Sequence, residues 1–322
     1  MKLEQKIDFQ SEFQEEVYEG LTAFPKYLSS KYFYDKKGDK LFQQIMELPE
    51  YYLTGCEFQI LSKYTSEIVK KFESPSGFDL IELGAGDGKK TKLLLEELMS
   101  NNVNFSYKPI DISQNVLDEL QESVKSLWPE IDIETQQGTY FKVLEKIAQY
   151  TQRKKVILVL GSNIGNLSHP QAIDFLKNIQ HSMHKDDLLF MGVDQKKDPA
   201  TILKAYNDSA GVTEAFNKNL LDRINDEMDA NFEPNNFIHW PTYDPESGTT
   251  KSFLVSNKNQ EVAINKLNLT VSFEKWESIQ TEISQKYDDS VINWLAEEAN
   301  LQVVDQYEDD QGYFKDYIFK KK

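Results

Sequence analysis

Cysteine and histidine are nearly absent from this chain. Cys56 stands alone, and four histidines are spread through 322 residues. One cysteine excludes an internal disulfide and suits a reducing compartment. With no ligand spacing among these few residues, a structural or catalytic zinc site is not expected. Long apolar runs are missing too: none approaches the ~20 residues that a membrane helix requires. The first residues, Met1-Lys2-Leu3-Glu4-Gln5-Lys6, lack the apolar stretch of a signal peptide. A cytoplasmic protein with no membrane partner is expected. Positive charge is scarce, with 36 Lys and Arg against 53 Asp and Glu, a net charge of −17. That field repels phosphate backbones, so nucleic acid is not an expected partner. A small cationic or zwitterionic molecule is compatible with it, and a monomer is expected.

Aromatic residues are plentiful. With 19 Phe, 16 Tyr and 39% hydrophobic residues, the chain can build one large core or two modest ones. Its most informative stretch is Asp79-Leu80-Ile81-Glu82-Leu83-Gly84-Ala85-Gly86-Asp87-Gly88-Lys89-Lys90-Thr91. An apolar strand ends in an acid, opens into alternating glycines and continues as a helix. Glycine belongs where backbone turns tightly and a ligand approaches without a Cβ in the way. Such a turn, at the carboxyl end of a parallel sheet, makes a nucleotide crevice. The dinucleotide fingerprint is excluded because Lys89 occupies the third glycine position. A phosphate loop is excluded by its spacing. The Glu-x-Gly-x-Gly-x-Gly form resembles the S-adenosylmethionine loop of Rossmann-like methyltransferases. A glycine-rich turn that binds nothing is the bland alternative.

From about Glu57 to Val193, strand-like and helical patterns alternate. Strands are expected at Phe78–Leu83, Phe105–Ile110, Ile131–Thr135, Val156–Leu160 and Leu188–Val193. Helices are expected at Thr91–Met99, Val116–Ser126, Phe141–Gln149 and Pro170–His181. The pattern implies an α/β fold, a parallel sheet covered by helices, with Val156–Leu160 as a central strand buried on both faces. After Pro199 the alternation stops. Residues 200–230 read as helices, Lys251–Val255 and Leu267–Phe273 as a strand pair, and Leu301–Asp305 with Tyr313–Phe319 as a hairpin returning to the sheet edge. Two discontinuous domains follow: a Rossmann-like one from 57–197 and 287–322, and a second, substrate-binding one from 8–56 and 198–286.

Three further loops, several tyrosines and one extended segment could carry chemistry. Asp111, after the second strand, can accept both ribose hydroxyls of a nucleoside, or cap the helix that begins near Gln114. Gly138-Thr139-Tyr140 follows the third strand, where an adenine pocket would lie; a plain turn fits equally. Gly161-Ser162-Asn163-Ile164-Gly165-Asn166 follows the fourth strand, with two amide side chains suited to a polar substrate. The Asn/Asp-Pro-Pro-Tyr/Phe motif of nucleic-acid amino methyltransferases is absent there. Tyr32, Tyr34, Tyr51, Tyr52 and Tyr206 could meet an amine by hydrogen bonding and, once it is methylated, by cation–π contact. Glu282 and Ser284, two apart, share one side of an extended segment.

In this order, these segments resemble the histidine Nα-methyltransferases of ergothioneine biosynthesis. The resemblance runs from about Tyr32 to Tyr287. It rests on Tyr32-Phe33-Tyr34-Asp35, Leu48-Pro49-Glu50-Tyr51-Tyr52, Glu82-Leu83-Gly84-Ala85-Gly86 with Lys90-Thr91, and Leu160-Gly161-Ser162 with Ile164-Gly165-Asn166. Ala205-Tyr206, Gly211-Val212-Thr213 with Phe216-Asn217, and Thr281-Glu282 with Ser284 and Lys286-Tyr287 complete it. The resemblance implies a Rossmann-like domain with a separate substrate domain. It also implies three successive methyl transfers from S-adenosylmethionine to the α-amine of histidine, giving the betaine. On matching positions, Gly84, Gly86, Lys90 and Asp111 would hold S-adenosylmethionine, with Thr139 and Tyr140 near its adenine. Tyr51, Gly161, Asn166 and Tyr206 would hold the ends of the amino acid, and Glu282 and Ser284 would read the imidazole. Tyr34 and Asn166 would lie at the reacting amine, with Tyr34 or a water accepting its proton.

The chain departs from the family pattern in four places. Thr139 stands where Asp is usual, and Ser252 where a Met commonly lines the side-chain pocket. Leu53 replaces a usual Pro, and Gly55-Cys56 a usual Arg. Another amino acid or small amine as substrate, or a non-catalytic protein that binds the cofactor or an amino acid, is the alternative reading.

Overall fold

The structure, a computed structural model, describes residues 9–138 and 153–322. The helix expected at Phe141–Gln149, and Thr139 and Tyr140 with it, lie outside the described residues. The chain divides into two compact units, Tyr52–Lys197 with Gln285–Lys322, and Met1–Tyr51 with Asp198–Ser284. No described helix is long and apolar enough to cross a membrane.

The first unit is built on a seven-stranded sheet. Numbered along the chain, its strands are β2 (Phe78–Leu83), β3 (Phe105–Asp111), β4 (Gln136–Gln137), β5 (Lys154–Val159), β6 (Leu188–Asp194), β12 (Leu301–Glu308) and β13 (Phe314–Lys321). Their order is β12-β13-β6-β5-β2-β3-β4. Pairs from β6 to β4 are parallel, and β13 enters antiparallel against β6 with β12 antiparallel outside it. The chain therefore starts at β2, builds outward through β3 and β4, then returns to build β5 and β6 on the other side. That reversal puts the topological switch point at the carboxyl ends of β2 and β5, where α/β sheets bind ligands.

Alternating residues of the central strands face two helical layers. Ile81, Leu83, Ile157, Val159, Leu189 and Met191 share a core with Phe175 and Ile179 of helix His169–Ser182 and Leu295 of helix Asp289–Glu298. On the other face, Phe72 of helix Tyr52–Phe72 lies 6.2 Å from the Phe78 ring and 5.8 Å from that of Phe190. A strand covered on both sides must be apolar throughout, and Val156–Leu160 is. The expected strand Ile131–Thr135 reduces to one bridge, Tyr107 with Ile133, ahead of the two-residue β4. At the sheet's edge, Ile131 and Ile133 still bury alternately, but only a few backbone groups find partners on β3.

The second unit holds a four-stranded sheet, β1 (Lys26–Tyr27), β11 (Ser278–Gln285), β8 (Thr249–Ser256) and β7 (Phe237–Asp244), in that order. Beside it is a hairpin of β9 (Gln260–Ile264) and β10 (Leu269–Phe273). The helices Glu12–Thr22, Lys36–Glu47 and Val212–Met228 supply the core that these strands share, with Leu220, Leu221 and Ile224 fully buried. The strand pair expected from Lys251–Val255 and Leu267–Phe273 does not form. Both segments are strands, but β8 pairs with β7, and β10 pairs with β9. Alternating burial along β8 fixes which face is inward, not which strand lies beside it.

Candidate active site

The turn after β2 is shaped by hydrogen bonds to the end of β3. Gly84 and Ala85 donate their N–H groups to the Ile110 carbonyl, at 2.8 and 3.2 Å, and Gly86 donates to Asp111 Oδ2 at 3.2 Å. Gly84 and Gly86 have φ of 75° and 54°, the left-handed region where side chains are strained. A Cβ on Gly86 would meet nothing within 4 Å, so its backbone is open to close approach. Asp111 is half-buried, and burial raises its carboxyl pKa against the lowering effect of amides at Ser113, Gly86 and Ile112. It does not cap the next helix. Ser113 does, its hydroxyl accepting from Val116 N–H. Gly138 N–H reaches the Asp111 carbonyl at 3.0 Å, which brings the start of the third loop beside the second. An open glycine backbone next to a carboxylate fits a nucleoside carrying ribose hydroxyls.

Glu82, the acid before the glycines, is a buried anchor. It accepts from the hydroxyls of Thr91, at the start of helix Thr91–Ser100, and Tyr107, on β3. Burial pushes its pKa up to about 7 against those two hydrogen bonds and the nearby Lys90. Lys90 forms a salt bridge with Glu57 of helix Tyr52–Phe72. Glu57 also accepts the N–H of Gly161, at 3.0 and 2.9 Å to its two oxygens. Lys90 and Gly161 are thus brought to one carboxylate, across the ends of β2 and β5. Ser162, in the left-handed region at φ 59°, begins the short 3-10 turn Asn163–Asn166, and Asn166 is exposed at its end.

In the second unit, Tyr206, at the end of helix Pro199–Ala205, donates to Ser284 Oγ at 2.7 Å. Two residues earlier on β11, Glu282 accepts from the Ser252 hydroxyl of β8 at 3.0 Å. Thr281, which points to the opposite face, donates to the buried Asn217 at 2.7 Å and ties β11 to helix Val212–Met228. Tyr34 and Tyr51 sit on either side of Phe42, with edge-on ring centroids at 5.5 and 6.3 Å. The structure therefore joins Tyr206 to Ser284, and Tyr34 to Tyr51 through an aromatic cluster.

Glu57 escaped the sequence reading, and the contact made by Ser252 was not foreseen. Glu57 falls in line with Leu53, Ile60 and Leu61 on the buried face of its helix, and a lone acid on an apolar stripe is a signal that could have singled it out. Ser252 stands where a Met commonly lines the side-chain pocket. Its hydroxyl is directed to Glu282.

Comparison with known proteins decides the family. Residues 13–321 match the model of the histidine-specific, S-adenosylmethionine-dependent methyltransferases. The chain belongs to that family. S-adenosylmethionine is accordingly its methyl donor. The chain is 35% identical to a histidine N-alpha-methyltransferase of Mycolicibacterium smegmatis, over 93% of its own length and 92% of that protein's. It is 32% identical to one from Mycobacterium tuberculosis, with the same coverage. Ergothioneine biosynthesis protein 1 of Neurospora crassa is 31% identical over 88% of the chain, which spans 32% of that longer protein.

For this family member, two outcomes follow from the geometry. Asp111→Ala should weaken S-adenosylmethionine binding by ~1–3 kcal/mol, the range for a lost charged hydrogen-bond partner; titration calorimetry that finds unchanged affinity removes Asp111 from the cofactor site. Glu82 has a folded pKa of about 7 against an ordinary 4.5, so its ionisation opposes folding. The penalty is absent below about pH 4.5, grows as pH rises to about 7 and is constant above. Glu82→Gln should therefore gain stability over the native protein by roughly 1–3 kcal/mol across that window. Urea unfolding at pH values on both sides would contradict this by showing a pH-independent difference.

Proposed function

We propose that the enzyme transfers three methyl groups in succession to the α-amine of histidine. The observation that carries the histidine reading is the pair of polar contacts on β11, Ser252 to Glu282 and Tyr206 to Ser284. When bound, S-adenosylmethionine supplies an electrophilic methyl on a sulfonium. What this chain's residues must do is bind a neutral amine and hold it at ~3–3.5 Å from the reacting carbon. No covalent nucleophile is needed.

Gly84, Gly86, Lys90 and Asp111 are assigned to the methyl donor, Asp111 as acceptor for its ribose and Gly86 as open backbone. Lys90 acts from its fixed place on Glu57. Thr139 and Tyr140 are assigned to the adenine on the family pattern alone. Tyr51, Gly161, Asn166 and Tyr206 are assigned to the amino and carboxylate ends of the amino acid, and Tyr34 and Asn166 to the reacting amine.

Glu282 is assigned to the imidazole N–H. A carboxylate accepts hydrogen bonds and donates none when ionised, so it selects a side chain that donates an N–H over an apolar one that offers no hydrogen bond. Ser252 strengthens that selection: by donating to Glu282 it holds the carboxylate in one orientation. Other amines as substrate are not favoured by this arrangement.

Glu282→Ala should raise the KM for histidine about 10- to 100-fold, the loss of one charged hydrogen bond, with S-adenosylmethionine affinity nearly unchanged. Steady-state kinetics beside cofactor titration separates the two, and equal loss of both removes Glu282 from the amino-acid site.

A further inference from the structure

Asp316 lies in the middle of β13, opposite Gly192 of β6 and fully buried. Neither of its carboxyl oxygens receives a hydrogen bond from a donor among the described residues. A bare carboxylate without donors is costly to bury, so such a group keeps its proton. Burial raises the Asp316 pKa far above the ordinary carboxylic range, and the negative Glu57 adds to this against the weaker pull of Lys90. The Lys90 ammonium is bridged to Glu57 instead.

Glycine makes the meeting of the two acids possible. A Cβ on Gly192 would come within 2.1 Å of Glu57 Oε1 and 2.6 Å of Asp316 Oδ1. The two carboxyl groups converge on the space that Gly192 leaves empty. Two ionised acids at such range would repel, whereas one protonated and one ionised acid share a hydrogen bond. Glu57 is the accepting partner, since it already takes the Lys90 ammonium and the Gly161 amide.

We infer that Asp316 is a positioning residue for the methyl-donor site, a protonated carboxyl that donates to Glu57 and thereby fixes Lys90 and Gly161. It holds Glu57 from behind, so that Glu57 links the helix start after the glycine loop to the loop after β5. Without that donor, Glu57 has one hydrogen bond fewer and can turn toward the space over Gly192, releasing both partners. The inference rests on the assignment of the methyl donor to the crevice at β2 and β5.

The test is donor retention. Asp316→Asn keeps an N–H donor for Glu57; Asp316→Val and Asp316→Ala keep none. Titration calorimetry with S-adenosylmethionine should show the Val and Ala variants binding about tenfold or more weakly, with the Asn variant restored to within about threefold of the native protein, as expected for one hydrogen bond to a charged group. Full affinity in a folded Val or Ala variant overturns the inference, and so does an Asn variant as weak as Val. Infrared difference spectra at neutral pH supply a readout that does not depend on the donorless variants folding. Native protein minus Asp316→Asn should contain the C=O stretch of a protonated carboxyl, and its absence also overturns the inference. Asp111→Ala run in parallel separates the two assignments: if Asp111→Ala binds normally, the placement of the donor fails, and if only the Asp316 variants bind normally, Asp316 alone is misassigned.

Discussion

Everything proposed for the methyl-donor side depends on one turn, in which the Ile110 carbonyl accepts from both Gly84 and Ala85. That shared acceptor holds the end of β2 against the end of β3. It also forces the backbone through left-handed conformations that glycine adopts without strain. The next residue along β3 is Asp111, so the same contact aims the carboxylate at Gly86. Below the turn, Glu82 collects hydroxyls from Thr91 and Tyr107 and fastens the following helix to the sheet.

The residues shared with the family divide by what they do. Asp35 caps the helix Lys36–Glu47, accepting from Lys37 and Gly38 N–H, and also holds Asn219 of helix Val212–Met228. Gly211 takes the left-handed conformation before that second helix, while Asp208 accepts from Val212 and Thr213. Asn217 bridges that helix to Thr281. Lys286 is fully buried against Asp194 at 2.8 Å. These are builders, and their polar side chains are consumed by the fold. Glu282, Ser284, Tyr206 and Asp111, which the proposed function assigns to ligands, make their contacts near a strand end or in a loop instead.

The α/β class was legible because a central strand buried on both faces writes itself as an unbroken apolar run, as in Val156–Leu160. Strand partners were not legible. β7 carries Pro241, which argues against a strand, yet β7 is the edge of its sheet, where a missing N–H is tolerated. β9, Gln260–Ile264, is too short and polar to stand out, so β10 was assigned to the nearest alternating segment, β8. On the functional side, the glycine loop and Asp111 were visible as a strand-turn-helix pattern. Glu57 left a local signal as a lone acid on an apolar helix stripe, but its meeting with Asp316 did not, because nothing local says that two acids 259 positions apart in the sequence numbering meet over Gly192. Buried polar groups that act through one another leave little trace in a linear pattern.

In this enzyme the proposed chemistry is one of positioning: the chain's residues bind and orient the α-amine of histidine for methylation by S-adenosylmethionine. Mass spectrometry of the purified protein with S-adenosylmethionine and single amino acids tests it most directly. Histidine gaining three methyl groups, with other amino acids unchanged, is the result predicted. Methylation of a different amine in preference to histidine, or cofactor binding without any methylated product, would contradict it.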